Sequence, residues 1–286
     1  MSHEHRGHGP HKVGHVKEVT SLANPIIKDI KALSDKKTRE QSGTFMAEGL
    51  KLVIDAIELG WTIRTLVYAK AAKGKPLVEQ MAAKTVASGG LVLEVSEKVI
   101  SSITRRDNPQ MVVGIFESRW KPLREIHPRP GETWIALDRV RDPGNLGTII
   151  RTADAAGASG VILVGETTDP FSLETVRATM GSVFAVPVAR ATAEEFIAWK
   201  KHAGASVVAT HLAGSVDYRT IDYKKKPVVI LMGNEQSGLP EHLAKEADAL
   251  ARIPQQGRAD SLNLAVASAV MLFEVRRHLL SLDEAK

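Results

Sequence analysis

The chain has 286 residues, 43% of them hydrophobic and 25% charged, enough for about two globular cores. No apolar run reaches the ~18 residues that span a bilayer, and the absence of cysteine excludes disulfides, thiolate catalysis and Cys-based zinc sites. The net charge of +5 is unevenly spread: residues 1–130 carry 21 Lys+Arg against 14 Asp+Glu, and residues 131–286 carry 17 against 19. A basic half beside a nearly neutral one suggests that the first half meets a polyanion. Residues 1–18 hold His3, His5, His8, His11 and His15 among glycine and proline, with no apolar core for a secretory signal, and read as a disordered tail.

Residues 19–120 read as an alternating α/β domain. A helix starts near Asn24-Pro25 with Ile26, Ile27, Ile30 and Leu33 on one side, and a basic turn with Lys36, Lys37 and Arg39 follows. "EGLKLVIDAIELG" is a second helix, "TIRTLVYA" and "LVLEVS" are strands around the helix "PLVEQMAAKTVASGG", and "MVVGIFES" is a further strand. The short helix before it runs into a turn that presents Arg105 and Arg106. In turns these five cations, Lys36, Lys37, Arg39, Arg105 and Arg106, can reach the phosphates of a nucleic acid. Residues 121–132, rich in proline and without period, read as a linker.

Residues 133–286 alternate again. The strands "TWIALDRV", "GVILVG", "FAVPVA", "SVVATHL", "PVVILMG" and "LARIP" are apolar throughout, which implies a parallel sheet covered on both faces. Ligands of such sheets bind beyond the carboxyl ends of the strands, and three places there carry unusual residues. In "RDPGNLGTIIRTADAAG", Asp142-Pro143-Gly144-Asn145 is turn chemistry, with Asn145 expected to cap the helix. Arg151 lies within that helix. An ion pair with Asp154 and a functional role both account for it. In "LMGNEQSGLP", Gly233 and Gly238 flank Glu235 and suggest a close backbone approach. In "IPQQGRADSLNLAVASA", Asp260 or Ser261 suffices as a cap, which leaves Asn263 unexplained unless the helix start serves a pocket. Gly233, Ile253 and the N–H groups near Leu262 would line it.

Taken in order, "NLGTIIRTADAAG", "LMGNEQSGL" and "IPQQGRADSLNLAVASA" resemble the three motifs of the SpoU family of RNA ribose 2′-O-methyltransferases, in the SPOUT superfamily. The first half is similar to that family's substrate-binding domain, of ribosomal-protein L30e type. The resemblance implies a trefoil-knotted α/β catalytic domain, S-adenosylmethionine as cofactor, a homodimer, no metal and a cytoplasmic protein acting on RNA. By motif position it places Gly233, Ile253 and Leu262 on the cofactor, and Asn145, Arg151, Glu235, Ser261 and Asn263 at the reacting ribose. The family assigns the arginine as proton acceptor with help from an RNA phosphate. A guanidinium is a poor base, so Arg151 is better placed holding the phosphate and stabilising the developing alkoxide. A separate basic domain suits ribosomal RNA, with a large-subunit guanosine favoured over tRNA or a resistance-type adenosine. A non-catalytic RNA-binding assembly factor is the alternative of another class, yet it has no need of that polar set. A nicotinamide-dependent dehydrogenase fails for want of a glycine fingerprint after any strand.

Overall fold

The computed structural model describes residues 14–105, 108–212 and 216–282. The chain divides into two compact units, Met1–Ser118 and Arg119–Lys286. None of the described helices is long and apolar enough to cross a membrane.

The first unit runs β1 (His15–Val19), α1 (Pro25–Ala32), α2 (Lys36–Ser42), β2 (Thr44–Glu48), α3 (Leu50–Glu58), β3 (Ile63–Ala69), α4 (Pro76–Ala87), β4 (Leu91–Val95), α5 (Glu97–Thr104) and β5 (Val112–Glu117). Its sheet has the order β1-β4-β3-β5-β2, with only β5 antiparallel to its neighbours. Two expectations change here. Residues 15–18, assigned to the tail, form most of β1, whose partner β4 lies over seventy residues away. A pairing so distant leaves no local signal. The rest of the expected tail, residues 1–13, lies outside the described residues. The expected basic turn is instead the helix α2, capped by Asp35 accepting from Thr38 N at 3.0 Å and closed by Gly43 at φ 64°. Its sequence, KKTREQS, has no apolar stripe, which is why periodicity misses it. β2 escapes a reading by pattern for a similar reason, because TFMAE is short and lacks alternation.

The second unit runs β6 (Thr133–Asp138), α6 (Pro143–Ala155), β7 (Gly160–Val164), α7 (Leu173–Thr179), β8 (Val188–Ala191), α8 (Ala193–Ala203), β9 (Ser206–Thr210), β10 (Val216–Asp217), β11 (Val228–Met232), α9 (Glu241–Ala244), β12 (Ala249–Arg252) and α10 (Leu264–Arg276). All its strands are parallel, in the order β10-β12-β9-β11-β6-β7-β8. Both faces are buried, as the apolar strands require. Val228, Ile230 and Met232 of β11 pack with Leu146, Ile150 and Leu272 of the α6–α10 layer. Val229 and Leu231 face the opposite layer with Phe196 and Leu243. Burying each such side chain contributes about 1.5–3 kcal/mol, which anchors the strand ends that carry the site.

The segment 121–132 is no free linker. Lys121 N donates to Val188 O at 2.8 Å, Ile126 is buried, and Trp199 Nε1 donates to Ile126 O at 2.9 Å. Single anchors hold it to the second unit, and proline-rich segments show no period from which such anchors can be read. With the boundary at Ser118, the charge split becomes 17 Lys+Arg against 13 Asp+Glu in the first unit, and 21 against 20 in the second. Residues 119–130, a strap with four Lys+Arg against one Asp+Glu, carry much of the asymmetry. The last expected strand to shift is "FAVPVA": Ser182–Phe184 is a 3-10 turn, and the strand begins only at Val188.

Candidate active site

Because β6, β11, β9 and β12 are parallel neighbours, their carboxyl ends lie along one edge of the sheet. The loops that follow them meet there. The first carries Asp142, which caps α6 by accepting from Asn145 N at 2.6 Å, with Pro143 at the first helical position. This corrects the expectation that Asn145 is the cap. Its side chain is instead spared for contacts across the loops.

Those contacts join all three segments. Asn145 Nδ2 donates to Glu235 Oε1 at 3.4 Å, and Asn145 Oδ1 accepts from Asn263 Nδ2 at 3.0 Å. The Glu235 carboxylate also accepts from Arg141 N at 3.4 Å, Asp142 N at 3.3 Å and Asn234 Nδ2 at 3.3 Å. A carboxylate on the open N–H groups before α6 is favoured by the helix dipole as well as by the bonds. Asn263 is the cap of α10, accepting from Ala265 N at 2.9 Å and Val266 N at 3.2 Å. That corrects the expectation that Asp260 or Ser261 plays this part. One end of Asn263 caps the helix while the other reaches Asn145.

The loop after β11 is a tight hairpin in which Asn234 and Gly238 exchange backbone hydrogen bonds of 3.1 and 3.0 Å. Gly238 has φ 64°. A Cβ on Gly233 would lie 2.3 Å from Leu239 N, so only glycine fits where the chain doubles back.

Two adjoining cavities result. The smaller, about 340 Å³, is polar and lined by Arg141, Asp142, Asn145, Asn234, Glu235, Gln236 and Asn263. The larger, about 520 Å³, is lined by Gly233, Ile253, Ser261 and Leu262, together with Met232, Ala251 and Gln255. Asn145, Asn234, Glu235, Gln236 and Asn263 form the wall common to both. Sequence reading misses Thr210, the last residue of β9, and His211 and Leu212 after it, which line the larger cavity. The signal is available in kind, since they too stand at a carboxyl strand end, but the place of β9 between β11 and β12 is not written locally.

Arg151 does not join this cluster. It is exposed, on the side of α6 away from buried Ile149, Ile150 and Ala153, about 12 Å along the axis from the helix start, and lines neither cavity. The ion pair considered with Asp154 does not form; that carboxylate accepts from Ser182 Oγ at 2.7 Å. Of the five cations assigned to RNA, Lys36 and Lys37 are exposed on α2, and exposed Arg105 donates to Ser34 Oγ at 2.9 Å. Arg39 is corrected: it is 5% exposed, and its guanidinium donates to the carbonyls of Leu33 at 2.8 Å and Ser34 at 3.0 Å. It closes the α1–α2 turn rather than facing a phosphate. Arg106 lies outside the described residues.

Residues 132–273 match the SpoU rRNA methylase family, and residues 24–114 match the MRM3-like substrate-binding domain. A Bacillus subtilis 23S rRNA (guanosine(2553)-2′-O)-methyltransferase is 31% identical over 91% of this chain and 100% of its own. The chain belongs to the SpoU rRNA methylase family. A Streptomyces viridochromogenes family member, a 23S rRNA (uridine(2479)-2′-O)-methyltransferase, is 31% identical over 87% of this chain and 88% of its own. The crystal structure of an AdoMet-bound rRNA methyltransferase from Sinorhizobium meliloti is 77% identical, with a TM-score of 0.90 over 93% of this chain and 99% of that one.

Proposed function

We propose that this SpoU family protein transfers a methyl group from S-adenosylmethionine to a ribose 2′-OH of large-subunit ribosomal RNA, with a guanosine as the favoured nucleotide. The observation that carries this reading is the pair of cavities with one polar wall in common. The larger has the size of a small-molecule site. Its donor set suits a cofactor with an apolar face and many hydrogen-bonding edges: Met232, Ala251, Ile253 and Leu262 supply apolar surface, and Gly233 and the segment around Ser261 supply backbone groups. When bound, the cofactor supplies a sulfonium methyl group. The smaller cavity takes the target nucleotide, whose ribose is oriented by Asn145, Glu235, Ser261 and Asn263. The mutual bonds of Asn145, Glu235 and Asn263 fix those three before the substrate arrives, which is where most of the rate advantage of such a displacement originates.

Arg151 completes the site from a second copy of the chain. Its outward position and its distance from both cavities support this, and so does α10, which packs on α6 and leaves Val266 50% and Phe273 46% exposed. Exposed apolar side chains on a helix that packs on α6 fit a homodimer. There the guanidinium holds an RNA phosphate and stabilises the developing alkoxide. The trefoil knot belongs to the same reading, supported by the out-of-sequence order of β12, β9 and β11 and by the return of α10 to α6. A ribosomal RNA substrate fits the cytoplasmic protein that this reading expects.

The test is transfer of labelled methyl from S-adenosylmethionine to total RNA, followed by mapping of alkali-resistant ribose positions. One labelled guanosine in large-subunit RNA is expected; label confined to tRNA or to bases overturns the assignment. Mixing inactive Arg151→Ala with inactive Glu235→Gln restores turnover if the arginine acts across the dimer.

A further inference from the structure

We infer that Arg139 is a positioning residue for methyl transfer, clamping the hairpin that carries Glu235 onto the turn that starts α6. Arg139 has φ 47°, a left-handed conformation that side chains other than glycine rarely adopt. Its surroundings over-determine that conformation. The backbone N–H donates to Val164 O at 2.9 Å, and the carbonyl accepts from Asn234 Nδ2 at 2.8 Å. The guanidinium Nε donates to Asp138 Oδ2 at 2.9 Å, and an η nitrogen donates to Ser237 Oγ at 3.4 Å. Ser237 Oγ in turn donates to Asn234 Oδ1 at 3.3 Å. A circuit closes: guanidinium to Ser237, Ser237 to Asn234, Asn234 back to the carbonyl of Arg139. Asp138 is 3% exposed, so a buried carboxylate fixes the near end of the arginine. The stem lies over Gly165, where a Cβ would come within 3.1 Å of Arg139 Cγ.

The remaining ties of the hairpin to the α6 start are the contacts of Glu235 with two backbone N–H groups and Asn145, at 3.3–3.4 Å. These are long bonds, so the circuit sets where Glu235 stands. Arg139 lines neither cavity and acts through the loop, not on substrate. Backbone strain held at such a place serves the site rather than stability.

The inference rests on the site reading above: wild-type turnover tests that reading, and the ratio of variant to wild type tests the clamp. The experiment measures kcat, the KM for RNA, cofactor affinity and melting temperature for Arg139→Lys, Ser237→Ala and the double variant. Lysine keeps a charge beside Asp138 but cannot span both partners. Each single variant is expected to lose about ten-fold in kcat at saturating cofactor, the scale of one charge-assisted hydrogen bond, with melting temperature changing little. Cofactor affinity should change little in Arg139→Lys, whereas Ser237 also lines the larger cavity and is read by kcat alone. The double variant should be no slower than the slower single one, because both act through one circuit. Arg139→Gly combined with Asp138→Asn relaxes the turn without leaving a buried carboxylate alone, and should stay as slow as Arg139→Lys. Wild-type turnover in that relaxed protein, or in Arg139→Lys, overturns the inference. So do losses that multiply in the Arg139→Lys/Ser237→Ala protein.

Discussion

Both units end their parallel strands in polar residues, but they use them differently. In the first, charges at the strand ends neutralise one another: Glu94 meets Lys73 at 2.8 Å and Tyr68 at 3.3 Å, and Glu18 pairs with Lys70. In the second, Glu235 has no cation on it among the described residues; backbone N–H groups and the amides of Asn145 and Asn234 hold it, and Asn263 holds Asn145. Neutral donors fix a carboxylate while keeping space around it open. Ion pairs close a rim and support stability; amide–carboxylate webs spanning three loops frame a cavity. The two units should therefore answer mutation differently, the first in stability and the second in turnover.

The largest effects should come from the second unit's web and from Arg151, the arginine proposed to complete it. Glu235→Gln keeps the shape but replaces an acceptor that takes several N–H groups with one that donates on one side. Turnover should fall about 10²–10³-fold, the range for removing a pre-organised electrostatic group, with little change in melting temperature. Arg151→Ala should be at least as damaging to turnover and leave cofactor affinity intact, because Arg151 lines neither cavity. Calorimetry with S-adenosylmethionine beside a methyl-transfer assay checks both. A large drop in melting temperature for Glu235→Gln would show that the web supports the fold and would dissolve the contrast between the units.

Gly233→Ala comes next. A Cβ 2.3 Å from Leu239 N meets backbone, which cannot swing aside as a side chain can. Opening the hairpin costs about 1–3 kcal/mol, as overpacking does. That cost should appear as a ten-fold or greater loss in cofactor affinity, at about 1.4 kcal/mol per decade. Cofactor binding unchanged in Gly233→Ala would separate the hairpin from the larger cavity.

How much of this the sequence discloses follows the same divide. Asn145, Glu235 and Asn263 are legible because polar residues stand at strand ends and helix starts where plain capping needs fewer of them. Their division of labour is not: that Asp142 and not Asn145 caps α6, and that Asn263 caps α10 with one end only, depends on which side chains face one another across roughly ninety to a hundred and twenty residues. Thr210 and His211 stay hidden because the neighbours of β9 are set by topology. In the first unit the Lys/Arg run reads as cations able to reach phosphates, and Lys36 and Lys37 are exposed as that reading requires. Arg39 breaks the pattern, since a turn left with bare carbonyls at Leu33 and Ser34 draws a guanidinium inward.

A smaller effect is expected at the surface around Ser34, where Lys36, Lys37 and Arg105 gather. With the charge contrast between the units reduced by the strap, RNA affinity should depend on local placement more than on net charge. Replacing the three with alanine should flatten the log–log dependence of RNA affinity on salt by about 0.7 for each phosphate no longer neutralised, roughly two phosphates in all. Filter binding across a salt series measures it. An unaltered slope would move the RNA grip elsewhere, and Arg119, Lys121, Arg124 and Arg129 of the strap would be the next to replace.

The smallest effect sharpens the contrast from the other side. The Lys73 ammonium, bonded to Glu94, holds that carboxyl below its ordinary value of 4.5, and Glu94 in turn raises Lys73 above 10.5. A carboxyl whose folded pKa is depressed contributes stability that is present above the unfolded pKa and lost as pH falls through the folded one. An ammonium whose folded pKa is raised contributes stability that is present below its unfolded pKa and lost as pH rises through the folded one. The pair thus supports the first unit across the neutral range and fails at both extremes. Lys73 is well exposed, so solvent screens much of the attraction, and a surface pair of this kind contributes little. Glu94→Gln should lower the melting temperature of the first unit by a few degrees at neutral pH, with the difference from wild type vanishing in acid. Methyl transfer below that temperature should be unchanged. Turnover that fell in Glu94→Gln while the unit stayed folded would mean that the rim of the first unit, like the web of the second, serves the reaction.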